Sequence, residues 1–157
     1  MPALVEAFES LGHEDVRTYI QSGNVVFRSA VTNPGKLSVA LERVLAEQFG
    51  LETRVLLRTH AELETIAAHS PFDEAVHVVF LDRRPKPAAV AALDPARSPG
   101  DRFEVAGRQI YLSLASGAER TKLTLDWLER RLGVAGTQRN WNTVLRLVEL
   151  TAPAAGG

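Results

Sequence analysis

Three polar stretches of the sequence carry the side-chain types that bind anionic groups in proteins. They are "YIQSGN" at residues 19–24, "SGAERTKL" at residues 116–123 and "TQRNWNT" at residues 137–143. Guanidinium, ammonium, amide and hydroxyl groups all donate hydrogen bonds to phosphate or carboxylate oxygens. The candidate ligand-binding residues are therefore Tyr19, Gln21, Ser22, Asn24, Arg120, Lys122, Arg139, Asn140 and Trp141.

Each stretch also has a purely structural interpretation. Gln21 and Asn24 are suited to satisfying backbone groups at a tight turn. A basic helix start is usually just solvated, and Asn140 is suited to capping a helix beside an anchoring Trp141. An anion pocket requires the three stretches to converge in the fold, and this convergence is a hypothesis.

Other chemistry is poorly represented in the sequence. The four histidines show no metal-ligand spacing, and no serine lies in the G-x-S-x-G turn of a hydrolase. "SGAERTKL" differs from a phosphate loop, because the glycine before Lys122 is missing and Leu123 replaces the magnesium-binding hydroxyl. We predict no metal and no cofactor, and we identify no catalytic residue.

Composition narrows the class of protein. The chain has 157 residues, 45% of them hydrophobic, and a net charge of −1, which argues against a nucleic acid partner. It contains no cysteine, as is usual for proteins of a reducing compartment, and no apolar run is long enough to span a membrane. We expect a cytoplasmic bacterial protein without a membrane partner; the sequence does not predict an oligomeric state.

Hydrophobic periodicity predicts the elements of the N-terminal part. Helices are expected at residues 3–11 and 35–49, and strands at residues 16–21, 24–28 and 53–58. This order matches the ferredoxin-like βαββαβ unit without its first strand. We therefore predict an incomplete ferredoxin-like lobe over residues 1–70 whose first strand is missing ahead of Met1.

The predicted hairpin has two distinct faces. With Ser22-Gly23 as the turn, Gln21 pairs with Asn24 and Thr18 with Phe27, and cross-strand partners share a face. The core face then carries Val16, Thr18, Ile20, Val25 and Phe27. The open face carries Arg17, Tyr19, Gln21, Asn24, Val26 and Arg28, and is expected to be solvent-exposed, a docking surface or a ligand platform.

A second small α+β lobe is predicted for residues 71–151, packed on the first and followed by a disordered tail at residues 152–157. A helix capped by Thr59 runs to His69 just before it, and "AVHVVFLD" is a buried strand. Further elements are a hairpin at residues 103–114 that turns at Gly107, and helices at residues 87–93, 121–132 and 141–150.

Three motifs, "DVRTYIQSGNVVF", "RTKL" preceded by Ser116-Gly117, and "RNWNTV", resemble the bacterial family catalogued as Domain of Unknown Function 1697. The resemblance implies a ferredoxin-like lobe joined to a second α+β lobe, and it implies no established activity. Family members open with a strand and a glycine-bearing loop, Y-x-A-L-L-R-G-I-N-V-G-G, before a helix like "MPALVEAFESLG". Neither precedes that helix here, so we expect Met1 to be an internal methionine.

Three functions follow as hypotheses. The leading one is binding of a small anionic ligand that bears a phosphate or carboxylate group. An enzyme acting on such a ligand is the first alternative, and it needs a general base with a strongly perturbed pKa beside the site. A nucleic-acid-binding module is the second, and it needs a continuous basic stripe with exposed aromatic residues.

Overall fold

A computed structural model of the protein describes residues 2–18, 24–29 and 33–152. The described residues form an α+β fold with two antiparallel sheets, which confirms the predicted fold class. In chain order the elements are α1 (Pro2–Ser10), β1 (Glu14–Thr18), β2 (Val25–Arg28), α2 (Pro34–Phe49), α3 (His60–Ala68), β3 (Val76–Leu81), α4 (Pro87–Ala91), β4 (Arg102–Ala106), β5 (Gln109–Ser113), α5 (Leu125–Leu132), β6 (Gly136–Asn140) and α6 (Trp141–Thr151).

The chain divides into two compact units. The first unit comprises Met1–His60 together with Leu147–Gly157, and the second comprises Ala61–Arg146. Almost all of α3 belongs to the second unit, and α6 begins in the second unit and ends in the first. The second unit is therefore continuous in sequence, whereas the first is assembled from both ends of the chain.

The hairpin of the first unit has a register different from the predicted one. Thr18 pairs with Val25 rather than with Phe27, and the predicted pairs of Tyr19, Ile20 and Gln21 lie outside the described residues. The displacement is two residues, and an even displacement leaves each side chain on its predicted face. Three of the predicted core residues accordingly pack on one cluster: Val16, Val25 and Phe27 lie against Phe8, Leu37 and Leu41.

The open face of this hairpin is not a free platform. Val26 on that face is buried, and Arg17, its cross-strand partner, donates from Nη2 to the backbone carbonyl of Leu150 at 2.8 Å. Leu150 lies in the last turn of α6, which belongs to the same unit. Through Arg17, this face of the hairpin therefore contacts the end of α6.

The predicted strand at residues 53–58 is wrong as a strand assignment. Residues 50–59 form no helix or strand, although Val55 and Leu57 still pack against the core of the first unit. The backbone N–H of Val55 donates to a carboxylate oxygen of Glu42 at 3.1 Å instead of to a neighbouring strand. A strand is stabilised by ladder hydrogen bonds, and in the described residues the sheet of this unit contains only β1 and β2.

The second unit contains a four-stranded antiparallel sheet in the order β4-β5-β3-β6. Central β3 is almost entirely buried, as its continuous apolar run predicts. The edge strand β6 was not predicted, because "GTQRN" has no apolar alternation. It can still pair because Gly136 allows close approach: a Cβ there would lie 2.9 Å from the carbonyl oxygen of Phe80.

Helix α5 begins later than its predicted start. The Thr124 hydroxyl accepts the N–H of Trp127 at 3.2 Å and is the N-cap, so Leu125 is the first helical residue. Thr121, the predicted start, instead accepts the N–H of Leu123 at 3.0 Å and forms a local turn. The segment that carries Arg120 and Lys122 is therefore a loop ahead of the helix.

Candidate anion-binding site

Two of the three polar stretches leave the sheet of the second unit at the same end. Val76 at the start of β3 pairs with Ser113 at the end of β5, and His77 pairs with Asn140 at the end of β6. The loop after β5 and the first turn of α6 therefore both begin at that end. This is the part of the predicted convergence that the sheet topology produces.

Arg139 nevertheless lies on the other face of the sheet from the loop that holds Lys122. Arg139 pairs with Val78, which shares a face with Tyr111, and the Tyr111 hydroxyl donates to a carbonyl of α3 at 2.8 Å. Leu123, next to Lys122, is buried in the core that covers the opposite face beneath α5. The sheet separates these two predicted cationic residues.

The guanidinium of Arg139 is engaged along its own strand. Its Nη1 donates to the hydroxyl of Thr137 at 2.6 Å and to the carbonyl of Gln138 at 2.9 Å. The side chain is partly buried, and this burial lowers the pKa of the Arg139 guanidinium. These contacts give Arg139 a structural role within β6.

The other residues of that stretch also have structural roles. The Asn140 side chain accepts the N–H of Thr143 at 2.9 Å, as expected for the N-cap of α6. Trp141 is the partly buried first residue of that helix. In the first stretch, Tyr19, Gln21 and Ser22 lie outside the described residues, and Asn24 is a partly buried residue of the first unit just before β2.

The loop after β5 is fixed by Asp101, a residue that the sequence did not single out. Its side chain is only 4% exposed. One oxygen accepts the backbone N–H of Ser116 at 2.9 Å, and the other accepts the hydroxyls of Ser116 at 2.6 Å and Ser98 at 2.7 Å. A single carboxylate thus joins the turn before β4 to the loop after β5.

The electrostatics of Asp101 suit this anchoring role. Burial alone would raise the pKa of the carboxyl group, but hydrogen bonds from Ser116, Thr121 and Ser98 outweigh burial and lower the pKa to about 2. The group is therefore anionic at neutral pH. A carboxylate with this pKa is a poor general base.

Further hydrogen bonds hold the rest of the loop. The Ser98 hydroxyl accepts the backbone N–H of Lys122 at 3.1 Å, while the carbonyl of Gly117 accepts the N–H of Arg120 at 3.1 Å and that of Thr121 at 3.0 Å. The backbone from residue 116 to residue 123 is consequently anchored, while the side chains of Arg120 and Lys122 remain exposed.

A third cation, Arg97, is placed beside Lys122. Its Nε donates to the backbone carbonyl of Lys122 at 2.9 Å, and its guanidinium carbon lies 4.6 Å above the centre of the Trp127 ring. Within the described residues, neither Nη atom of Arg97 has a hydrogen-bond partner, nor do the side chains of Arg120 and Lys122. We call Arg97, Arg120 and Lys122 the cationic site.

Sequence reasoning missed Arg97 and Asp101 for an identifiable reason. Asp101 contacts Ser116 across 15 residues, and Arg97 contacts Lys122 across 25, so neither belongs to a local motif. The only local signal is the Ser98-x-x-Asp101 spacing in "ARSPGD", which is common in turns.

The structure also bears on metal binding and on membrane spanning. In the ranges that the structure describes, no group of three histidine or acidic residues is arranged to hold a metal ion. Burial lowers the pKa of His77, and the Nδ1 atom of its ring lies 3.5 Å from the Gln138 amide nitrogen. No described helix is long and apolar enough to cross a membrane.

Comparison with known proteins identifies a family and a similar fold. A family described as "Protein of unknown function (DUF1697)" matches residues 1–111. The chain also resembles the solved structure of a conserved bacterial protein from Streptococcus pneumoniae, with a TM-score of 0.70 and 21% sequence identity. That similarity covers 96% of this chain and 88% of the other, and it shows a shared fold. No curated protein matches the sequence.

Proposed function

Because the chain belongs to the DUF1697 family of proteins of unknown function, its activity must be inferred from its own residues, and we propose that the cationic site binds a small anionic ligand. The ligand would carry a phosphate or carboxylate group. A cytoplasmic location is part of the proposal and rests on the cysteine-free composition.

The state of Arg97 is the observation that carries the proposal. Stacking on Trp127 fixes the plane of the guanidinium, and the Nε hydrogen bond to Lys122 fixes its rotation. Two Nη groups are left for a pair of anionic oxygens, the bidentate geometry for which arginine is suited. A side chain that is already ordered loses less conformational entropy on binding.

The Asp101 anchor supports the same proposal. It holds the loop at Ser116, and Ser98 extends the anchor to the backbone of Lys122. Flexible loops lose entropy when they close on a ligand, and this loop is already ordered by buried hydrogen bonds. The backbone that carries Arg120 and Lys122 would therefore not need to be ordered when the ligand binds.

Binding is better supported than catalysis. An enzyme acting on the ligand would need a general base near Arg97, and the buried carboxylate of the same turn, Asp101, has a lowered pKa and three hydrogen-bond donors. A nucleic-acid interface would need exposed aromatic residues for stacking, but Trp127 is buried and Trp141 is partly buried.

Isothermal titration calorimetry at low ionic strength tests the proposal. Inorganic phosphate, a nucleoside monophosphate and citrate are titrated into wild type, Arg97→Lys and Lys122→Ala. Arg97→Lys keeps the charge but removes the planar fork, and Lys36→Ala removes an equally exposed charge from α2 in the first unit.

We expect millimolar or tighter binding to wild type and Lys36→Ala, and at least about tenfold weaker binding to both site variants. The proposal is overturned if none of the three anions binds. It is also overturned if Arg97→Lys and Lys122→Ala, shown to be folded by circular dichroism, bind as wild type does.

A further inference from the structure

We infer that the cationic site selects a phosphate monoester dianion over a carboxylate. This inference rests on the proposed function and specifies the chemical class of its ligand. It draws on three properties of the site: its net charge, the number of its donors, and the engagement of its buried acid, Asp101, by donors of its own.

The charge of the two segments that form the site matches a dianion. Residues 97–102 and 115–122 contain the three cations of the site, a fourth basic residue, Arg102, and two acidic residues, a net charge of +2. Arg102 lies over the ring of Phe72 at 4.8 Å. The charge of Asp101 is already stabilised by hydrogen bonds from Ser116, Ser98 and Thr121, so it needs no cation of the site as a partner. A monocarboxylate would leave one positive charge uncompensated.

The donors also outnumber the oxygens of a carboxylate. The two Nη groups of Arg97 can engage two oxygens of one anion in the plane of the fork. Lys122 and Arg120 belong to a different backbone segment from Arg97, and their exposed side chains add further donors. A carboxylate has only two oxygens, while a phosphate monoester has three terminal oxygens and can accept from the fork and the loop together.

The acidic side chains near the site do not oppose this selection. Asp101 faces inward to its hydroxyl and N–H donors and is 4% exposed. Glu119 is exposed on the loop, and no contact within the described residues directs it toward Arg97. Repulsion of a second negative charge is therefore weak in comparison with the attraction of three cations.

Trp127 provides a direct reporter of occupancy. Its ring lies under the Arg97 guanidinium, and the chain contains only one other tryptophan, Trp141. In a Trp141→Phe background, a change in indole fluorescence reports on the environment of Arg97. Calorimetry on the same protein detects binding that leaves the fluorescence unchanged.

The test titrates the Trp141→Phe variant with glycerol phosphate, sulfate and acetate at constant ionic strength between pH 5.5 and 7.5. Phosphate monoesters gain their second charge near pH 6, whereas sulfate stays a dianion throughout. We expect acetate to bind at least about tenfold more weakly than glycerol phosphate at pH 7.5. The affinity for glycerol phosphate should rise several-fold across this range, and that for sulfate should not.

The outcomes separate the inference from the proposed function. Acetate affinity equal to that of glycerol phosphate, or glycerol phosphate affinity that does not change with pH, overturns dianion selection while anion binding stands. Failure of all three anions to give heat or a fluorescence change overturns both. Arg97→Lys is the matched variant, and it should reduce the preference for glycerol phosphate over acetate.

Discussion

The Nε atom of Arg97 donates a hydrogen bond to the backbone carbonyl of Lys122 at 2.9 Å, between residues 25 positions apart in sequence. This contact brings the turn before β4 against the loop after β5. It also means that one anionic ligand can meet donors from both segments, which is the basis of the proposed site. Four predictions test the structure of the two units.

Replacing Asp101 by asparagine should destabilise the second unit. The amide keeps the size of the side chain but removes the negative charge that accepts three hydrogen bonds. Its NH2 group would also replace one accepting oxygen and face another donor. The free energy of unfolding should fall by about 2 kcal/mol at pH 7 in urea titrations. Asp73→Asn, at an exposed position, is the control and should change it by less than about 0.5 kcal/mol.

Stability should depend on the charge of Asp101 at acidic pH. The pKa of about 2 in the folded state is below the ordinary value of 3.8, so folding favours the ionised form. The contribution, about 2 kcal/mol, is complete above pH 4 and is lost as the pH falls toward 2. The difference in unfolding free energy between wild type and Asp101→Asn should therefore shrink over that interval; a constant difference would contradict the assigned pKa.

His13 should make the first unit less stable in weakly acidic solution. His13 is 6% exposed, and the centroid of its ring lies 4.8 Å from that of Phe27 and 6.2 Å from that of Phe8. This burial lowers the pKa of His13 below its ordinary value of 6.5. The unfolded chain therefore binds a proton more readily, and stability present above pH 6.5 is lost as the pH falls. His13→Leu should reduce the fall in melting temperature between pH 7.5 and 5.5, and the exposed His69→Leu should not.

Arg17 should stabilise the end of α6. Its guanidinium donates to the backbone carbonyl of Leu150, which lies in the last turn of the helix and has no intrahelical N–H donor. The guanidinium also places a positive charge at the negative end of the helix dipole. Arg17→Ala should cost about 0.5–1 kcal/mol in chemical denaturation. Arg43→Ala, which removes an exposed arginine of α2, is the matched control; an equal loss in both variants would contradict this role.

Sequence patterns predicted those parts of the fold that depend on local residues. The continuous apolar run of β3, the Gly107 turn between β4 and β5, and the Asn140 cap of α6 are each determined by residues within a few positions of one another. β6 was missed because its stability comes from its neighbour β3 and from the space left by Gly136, and neither is visible in "GTQRN".

The candidate site was predicted only in part for the same reason. Arg120 and Lys122 were identified from their types, but alternation along β6 places Arg139 on the far face of the sheet, which becomes evident only once β6 is known to be a strand. Arg97 depends on the contact with Trp127, and a stacking partner 30 positions away leaves no local pattern. Residue types therefore indicate the chemistry, while contacts between residues distant in sequence determine which of them lie together.

The division of the chain has a consequence for the order in which the protein is built on the ribosome. Synthesis usually lets the N-terminal part fold first. Here residues 61–146 are continuous and can fold as soon as they emerge from the ribosome. In the first unit, the hydrogen bond from Arg17 to Leu150 can form only after Leu150 has been synthesised. We therefore expect the second unit to fold first, with the first unit completing its structure only after it.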